Sequence, residues 1–367
     1  MERITRRRYV MLGLALFAAF IVLTLFNNPA MYSSKISNIA NIGDDSIDTT
    51  TDIIANNNEE TAINDIGLDQ PEDAPVEVLS EPTKAEDWKP KQFTAPSKHV
   101  MDMINTNVMV NSKDKVLLTA VVNNGMADYT MNWIESLKKS NVDKKFLVFA
   151  IDQALVDTLT AAGYGKHVVL IPEHWFHKEI SAEFAGWLEG DYTPITHSKS
   201  LVVERLLYLG ITVWFSDVDI VFTNPNIFQY LMLKLKSRKH ATTKQELTEV
   251  LFSQELEQRL INSGFFIMRP TETSKRIMSD TISIQDKETK VTQQQAMNRI
   301  LDDMNLSYHE SPIALLDLTL FPHGRYYFDN NVPARFSMTP MIVHANYRQG
   351  QQKKADLKKA GLWYLKE

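Results

Sequence analysis

Cysteine is absent from the 367 residues. That removes disulfides, thiolate zinc sites, iron–sulfur clusters and cysteine nucleophiles together. Glycine is scarce at 13 residues, about half the ordinary share of roughly 7%. No GxGxxG or GxxxxGKS/T run occurs, so neither a dinucleotide fingerprint nor a P-loop is available to cradle phosphates. An excess of positive charge is missing too. The net charge is −6, which argues against nucleic acid as a partner. Between Tyr32 and Trp88 no aromatic residue occurs.

The remainder is ordinary for a folded protein: 44% of residues are hydrophobic and 23% charged. The charge is unevenly placed. Ile36 to Asp87 holds 14 acids and a single base, Lys84, whereas the chain from Trp88 onward holds 33 bases and 30 acids. The acidic character therefore belongs to one segment.

Four arginines (Arg3, Arg6, Arg7, Arg8) precede an uncharged apolar run from Tyr9 to Phe26. As a helix this run would be about 27 Å long, near the hydrocarbon thickness of a bilayer. Its length, and the lack of an A-x-A site after it, favour a retained anchor over a cleaved signal peptide. The charge asymmetry places the N-terminus in the cytosol. The expected organisation is a cytosolic tail (1–8), a membrane-spanning anchor (9–26), an acidic stalk too poor in apolar area to fold (27–100), and a folded domain (110–367). If that domain is luminal, the Asn305-Leu306-Ser307 sequon is a glycosylation acceptor.

In the domain, apolar runs alternate with helical periodicity. Strands are expected at Val116–Val122, Phe146–Ile151, His167–Ile171 and Ile211–Phe215. Helices are expected at Tyr129–Ser140, Ala154–Ala162 and Ser198–Leu209, the last two stopped by Gly163 and Gly210. Strands apolar on both faces, alternating with helices, predict a parallel α/β sheet. The stretch Glu173 to Thr196 is aromatic and aperiodic, and reads as a long functional loop. Its Trp175 and Trp187 would either stack on a flat ligand ring or fold onto the sheet. Its His174 and His177 offer two of the four ligands that a zinc site needs.

The sharpest pattern is Trp214-Phe215-Ser216-Asp217-Val218-Asp219. An apolar strand delivers two carboxylates at its carboxyl end, where open α/β sheets bind ligands. Two hard oxygen donors there suit Mg²⁺ or Mn²⁺; an acidic turn facing a cleft is the plain alternative. His344 ends another apolar strand, where core histidines also occur, and Lys353 lies in a basic stretch that could be a solvated face.

Further pieces follow in order: Lys199 ahead of the DxD, Asn224-Pro225, Asn262-Ser263-Gly264-Phe265-Phe266, Phe321-Pro322-His323-Gly324-Arg325 and His344-Ala345-Asn346-Tyr347. Over about residues 115–350 this set resembles the GT-A nucleotide-diphospho-sugar transferase family that includes plant cell-wall xylosyltransferases and arabinosyltransferases. The resemblance implies a single Rossmann-like GT-A domain. It implies metal-dependent transfer of a sugar from a nucleotide diphosphate, in this family a UDP-sugar, to a glycan or glycoprotein. Retention of configuration and a Golgi-membrane, type II, luminal setting go with it. It assigns Asp217 and Asp219 to catalysis and, with His344, to the metal, Mn²⁺ or Mg²⁺. Lys199, Asn262, Ser263, Gly264, Gln293, Gln294, Asn346, Gly350 and Lys353 are assigned to the nucleotide and donor. Gln293 stands where the family commonly has Asp, so a neutral amide replaces an acid. Two rival readings are a haloacid-dehalogenase-like phosphatase, with Asp217 as nucleophile and Asp302-Asp303 as its later acidic pair, and a non-catalytic sugar-nucleotide binder.

Overall fold

The computed structural model describes residues 95–176, 192–257, 259–288, 291–304 and 311–366. The Tyr9–Phe26 run, the whole acidic segment from Ile36 to Asp87, Asn305, His177 and Trp187 lie outside them. Among the described residues, no helix is long and apolar enough to cross a membrane.

Helix α1 (Lys98–Asn107) leads into a hairpin of β1 (Met109–Asn111) and β2 (Asp114–Val122). Three strand–helix units follow: α2 (Ala127–Lys139), β3 (Leu147–Ala150), α3 (Gln153–Ala161), β4 (Val168–Leu170), α4 (Tyr192–Tyr208) and β5 (Thr212–Ser216). Then come β6 (Ile220–Phe222), α5 (Ile227–Ser237), β7 (Val250–Leu256), β8 (Leu260–Met268), α6 (Glu272–Lys287), α7 (Gln293–Asp303) and β9 (Ile313–Leu315). A π-helical turn (Arg325–Asp329), α8 (Val332–Arg335), β10 (Ile342–His344) and α9 (Gly350–Lys359) complete the chain.

The main sheet runs β4-β3-β2-β5-β8-β7-β9, with β1 added beside β2, and β6 pairs with β10 in a second small sheet. Strands β2 to β5 are parallel, as their patterns predict. The expectation of a wholly parallel sheet does not hold: β8 is antiparallel to both β5 and β7. The reason is local. Strands β7 and β8 are joined by a short connection, which permits only a hairpin, whereas a parallel pair needs a crossover.

Each central strand is apolar on both faces because it serves two cores. Val116, Leu118 and Ala120 of β2 face a core with Trp133, Ile134 and Leu137 of α2 and Leu231 of α5. Leu117 and Val121 face the opposite core, with Ile104 of α1, Val203 and Leu206 of α4, and Met297 of α7. Trp214 and Phe215 of β5 split between the two cores in the same way.

Two boundaries differ from the expected ones. Helix α1 precedes residue 110, yet its Ile104 is fully buried, so the folded body includes it. Helix α4 starts at Tyr192 rather than Ser198. Pro194 lies in its first turn, where the missing N–H costs nothing. Trp175, on a 3₁₀ turn at Glu173–Trp175, is fully buried with its ring 5.7 Å from Phe149. It is a core residue and cannot stack on a ligand.

The order of strands reverses between β2 and β5, with β3 and β4 on one side and β8 on the other. The crevice at the carboxyl ends of these strands is where such sheets bind ligands. Because α1 seals the second core, Ile104→Ala is expected to cost about 2–5 kcal/mol in urea-induced unfolding. An unchanged midpoint would show α1 to be dispensable.

Candidate active site

The chain leaves β5 at Ser216 and enters the crevice. Ser216 is fully buried; its hydroxyl accepts a hydrogen bond from the Trp133 indole (3.0 Å) and donates to the Asp217 carbonyl (2.9 Å). The Asp217 amide donates to the Gly264 carbonyl at 2.7 Å, which carries the β5–β8 ladder one residue further. After one turn, Asp219 precedes β6. Its carbonyl accepts from the Ala345 amide at 3.0 Å, and β6 pairs with β10 so that His344 lies opposite Ile220. The two carboxylates thus come from one tight turn, and the imidazole from β10, which is hydrogen-bonded to that turn.

Asp217, Asp219 and His344 each offer a ligand atom within 4.8 Å of the others. Among the described residues they form the one cluster suited to a metal. Two carboxylates and an imidazole are a fitting donor set for a divalent cation such as Mn²⁺. Each carboxylate also meets an ammonium: Lys199 Nζ lies 2.5 Å from Asp217 Oδ1, and Lys353 Nζ 2.7 Å from Asp219 Oδ2. His344 Nε2 is 3.3 Å from Asp219 Oδ1. Burial opposes ionisation of Asp219, but Lys353 and His344 outweigh it and hold its carboxyl well below the ordinary range.

Sequence reasoning places both carboxylates on a cleft surface. Only Asp217 remains partly exposed; Asp219 is buried at 8% exposure. Lys353 is buried too, at 5%, and so is not part of a solvated basic face. It stands one turn into α9, which Gly350 opens at φ +47°. Helix α9 is docked by buried Arg348, which pairs with Asp356 (2.7 Å) and with Asp329. The Tyr129 hydroxyl reaches the Gly350 carbonyl at 3.5 Å. The backbone amides of Gly350 and Gln351, at the start of α9 and beside Lys353, form a setting suited to an anion.

Beneath the triad, β8 is bulged. Phe252 of β7 pairs with Phe266, but the next residue, Ser253, pairs with Asn262. Ser263, Gly264 and Phe265 therefore bow out of the β7–β8 ladder, and the Ser253 hydroxyl closes the bulge on the Phe265 carbonyl at 2.9 Å. A Cβ on Gly264 would lie 2.6 Å from His344 Cε1 and 2.8 Å from Asp217 Oδ2. Glycine is required here for room. Bulges of this kind re-aim backbone next to active sites.

A second network braces the bulge. Asn262 Oδ1 accepts from the Gly264 amide (2.8 Å), and Asn262 Nδ2 donates to Glu255 (2.5 Å). Glu255 also accepts from Asn346 (3.3 Å), whose Oδ1 accepts from the Gly324 amide (2.8 Å). Glu255 is buried and was not singled out from the sequence; no motif marks it. Gln294 accepts from the Ser263 amide (3.2 Å), and Asn298 pairs with both backbone groups of Ile261. The N-terminus of α7 is thereby docked on the bulge. Gln293, beside Gln294, is 1% exposed, and neither of its amide atoms has a hydrogen-bond partner among the described residues. His323 is neutral at physiological pH: burial, His344 and Arg325 push it down to about 4.

The remaining candidates do not gather here. His174 is exposed and joins no metal-ligating cluster among the described residues. Asp302 and Asp303 lie in the last turn of α7 rather than at a strand end, which removes the acidic pair that the phosphatase reading needs.

Since Gly264 has no room for a side chain, Gly264→Ala is expected to cost about 1–3 kcal/mol on unfolding. It should also shift the His344 ring resonances in NMR spectra. Unchanged stability and unchanged resonances would contradict the close packing described.

Residues 141–357 match the family model for nucleotide-diphospho-sugar transferases. The chain is 23% identical to the UDP-galactose:fucoside alpha-3-galactosyltransferase of Dictyostelium discoideum, over 70% of this chain and 44% of that protein. It is 25% identical to UDP-D-xylose:L-fucose alpha-1,3-D-xylosyltransferase 3 of Arabidopsis thaliana, over 66% of this chain and 64% of that one. The chain spans less than two thirds of the length of these curated relatives. A solved galactosyltransferase, LgtC in complex with donor and acceptor sugar analogues, aligns at 12% identity and a TM-score of 0.42, covering 68% of this chain and 97% of that one. The family match takes in the DxD strand, the β8 bulge, His344 and Lys353, and the chain belongs to the nucleotide-diphospho-sugar transferase family.

Proposed function

We propose that the protein is a metal-dependent glycosyltransferase that moves a sugar from a UDP-sugar to a glycan or glycoprotein acceptor, with retention of configuration. The observation that carries this reading is the juxtaposition of Asp217, Asp219 and His344 with Lys353 near the N-terminus of α9. That arrangement offers a cation site and an anion site side by side, which is what a nucleotide diphosphate requires. Two relatives are named for UDP-linked donors and fucose-containing acceptors, which supports UDP as the nucleotide.

When bound, a divalent cation supplies Lewis acidity that offsets charge on the departing diphosphate. The chain's own residues account for the rest. Asp217 and Asp219 would hold the cation, with His344 completing the set. Lys353, Gly350 and the amides opening α9 bind phosphate oxygens. Gly264 leaves His344 and Asp217 the room they occupy over the bulge, where Asn262 and Ser263 would floor the sugar pocket. The Gln293 amide, buried without a partner, offers one donor and one acceptor to the sugar. The Gln293 amide cannot serve as nucleophile or base; with retention, the acceptor hydroxyl would attack the anomeric carbon on the face from which the diphosphate departs, its proton passing to the departing phosphate oxygen as the anomeric C–O bond breaks.

Two measurements test the reading. Asp219→Asn should reduce Mn²⁺-dependent hydrolysis or transfer of UDP-sugars about 10²–10³-fold, with a smaller loss in His344→Ala. It should also be less stable, because Lys353 would stay buried without its carboxylate. Wild-type protein that binds UDP with Mn²⁺ but turns over no UDP-sugar would instead be a non-catalytic binder.

The Arg3–Arg8 cluster and the Tyr9–Phe26 run support a type II anchor with the domain in the Golgi lumen. Protease added to sealed microsomes should leave the body beyond about residue 27 intact. Digestion of the body would reverse the proposed orientation.

A further inference from the structure

At the end of β7 an acid is buried and a leucine is not: Glu255 is 4% exposed and Leu256 41%. The pairing explains how. Gln254 pairs with Ile261 and Leu256 with Leu260, so Glu255 is the extra residue of a second irregularity in the β7–β8 ladder. Hydropathy favours the opposite arrangement, and breaches of local pattern of this kind concentrate at functional positions.

The buried carboxylate is only half engaged. Its Oε2 accepts from Asn262 Nδ2 at 2.5 Å and from Asn346 Nδ2 at 3.3 Å, whereas Oε1 accepts no hydrogen bond from the described residues. Bracing the two asparagines does not call for an acid. One neutral amide oxygen could accept both bonds, with no charge to take out of water. A carboxylate oxygen set in a buried position without a donor is costly unless a ligand supplies one. The place suits a ligand. Asn262 Oδ1 lies 3.0 Å from where a Cβ on Gly264 would stand, and Asp217 Oδ2 and His344 Cε1 lie 2.8 and 2.6 Å from the same point. Glu255 is thus one hydrogen bond removed from the residues that border the metal triad. Sugars offer hydroxyl donors, the chemistry that an open carboxylate oxygen accepts.

We infer that Glu255 is a sugar-binding residue: Oε2 holds Asn262 and Asn346 in place, and Oε1 accepts a hydrogen bond from a hydroxyl of the transferred sugar. The inference rests on the nucleotide-sugar reading above and adds to it a residue that discriminates among donors by their hydroxyls.

The test uses Glu255→Gln. The amide oxygen can take the place of Oε2 and keep both asparagines, while the amide nitrogen then stands at Oε1 as a donor instead of an acceptor. Binding to the full chain, purified in detergent with Mn²⁺ present, is measured by calorimetry for UDP and for a panel of UDP-hexoses and UDP-pentoses that includes UDP-galactose and UDP-xylose. Glu255→Gln should leave UDP affinity within about twofold of wild type and weaken the tightest sugar nucleotide about tenfold or more. Unaltered binding of that sugar nucleotide would overturn the inference. So would an equal loss for UDP and the sugar nucleotide, which would make Glu255 a structural brace only, and so would a wild type that binds UDP but none of the sugar nucleotides. Should Glu255→Gln fail to fold, wild type crystallised with Mn²⁺ and its tightest sugar nucleotide decides: a sugar hydroxyl within about 3.0 Å of Oε1 is expected, and an Oε1 that meets only water or protein would overturn the inference. If wild type binds neither UDP nor any sugar nucleotide, the nucleotide-sugar reading itself fails and this inference with it.

Discussion

The carboxylates of Asp217 and Asp219, within 4.8 Å of each other and of the His344 imidazole, repel one another, and much of the architecture around the crevice answers that constraint. Like charges this close, one of them buried, persist only if opposite charges and hydrogen bonds offset both the repulsion and the lost hydration. Here Lys199 arrives from the middle of α4, Lys353 from the first turn of α9, and His344 from β10. Each rides on an element whose placement depends on packing elsewhere: α4 on the main sheet, β10 on β6, and α9 on the Arg348 pairs with Asp329 and Asp356. The site is thus a point where otherwise separate parts of the fold are tied by charge.

Backbone room is the second requirement, and β8 meets it by departing from regular pairing. Three residues bow out opposite β7, and glycine occupies the one that approaches His344 and Asp217. Glu255, through Asn262 and Asn346, links the bulge to the segment after β10. The arrangement couples the floor of the crevice to the strand that supplies the imidazole.

Local patterns reveal the parallel half of the sheet, because buried strands and amphipathic helices leave distinct periodicities in β2 to β5 and α2 to α4. The DxD is legible for the same reason: two carboxylates at the end of an apolar strand have few other uses. The antiparallel half is less visible, since a continuous apolar run such as Phe265–Met268 does not say which way its neighbour points. The bulge is invisible, because it is a relation between two strands rather than a feature of either. Glu255 and Arg348 belong to no recurring pattern; their roles come from long-range pairing that spacing alone does not encode. The burial of Asp219 was likewise hidden, because its cover, Lys353, lies 134 residues away. The resemblance to nucleotide-sugar transferases reached Lys353 where local pattern would have left it on the surface.

The claim on which the account turns is that Asp217, Asp219 and His344 hold a divalent cation against a nucleotide diphosphate. Pulsed electron paramagnetic resonance of Mn²⁺ bound with UDP tests it most directly. The account predicts nitrogen modulation from one imidazole together with phosphorus coupling, and a His344→Ala protein that loses the nitrogen signal while keeping the phosphorus. Bound Mn²⁺ without imidazole nitrogen in the wild type, or nitrogen modulation that survives in His344→Ala, would contradict it.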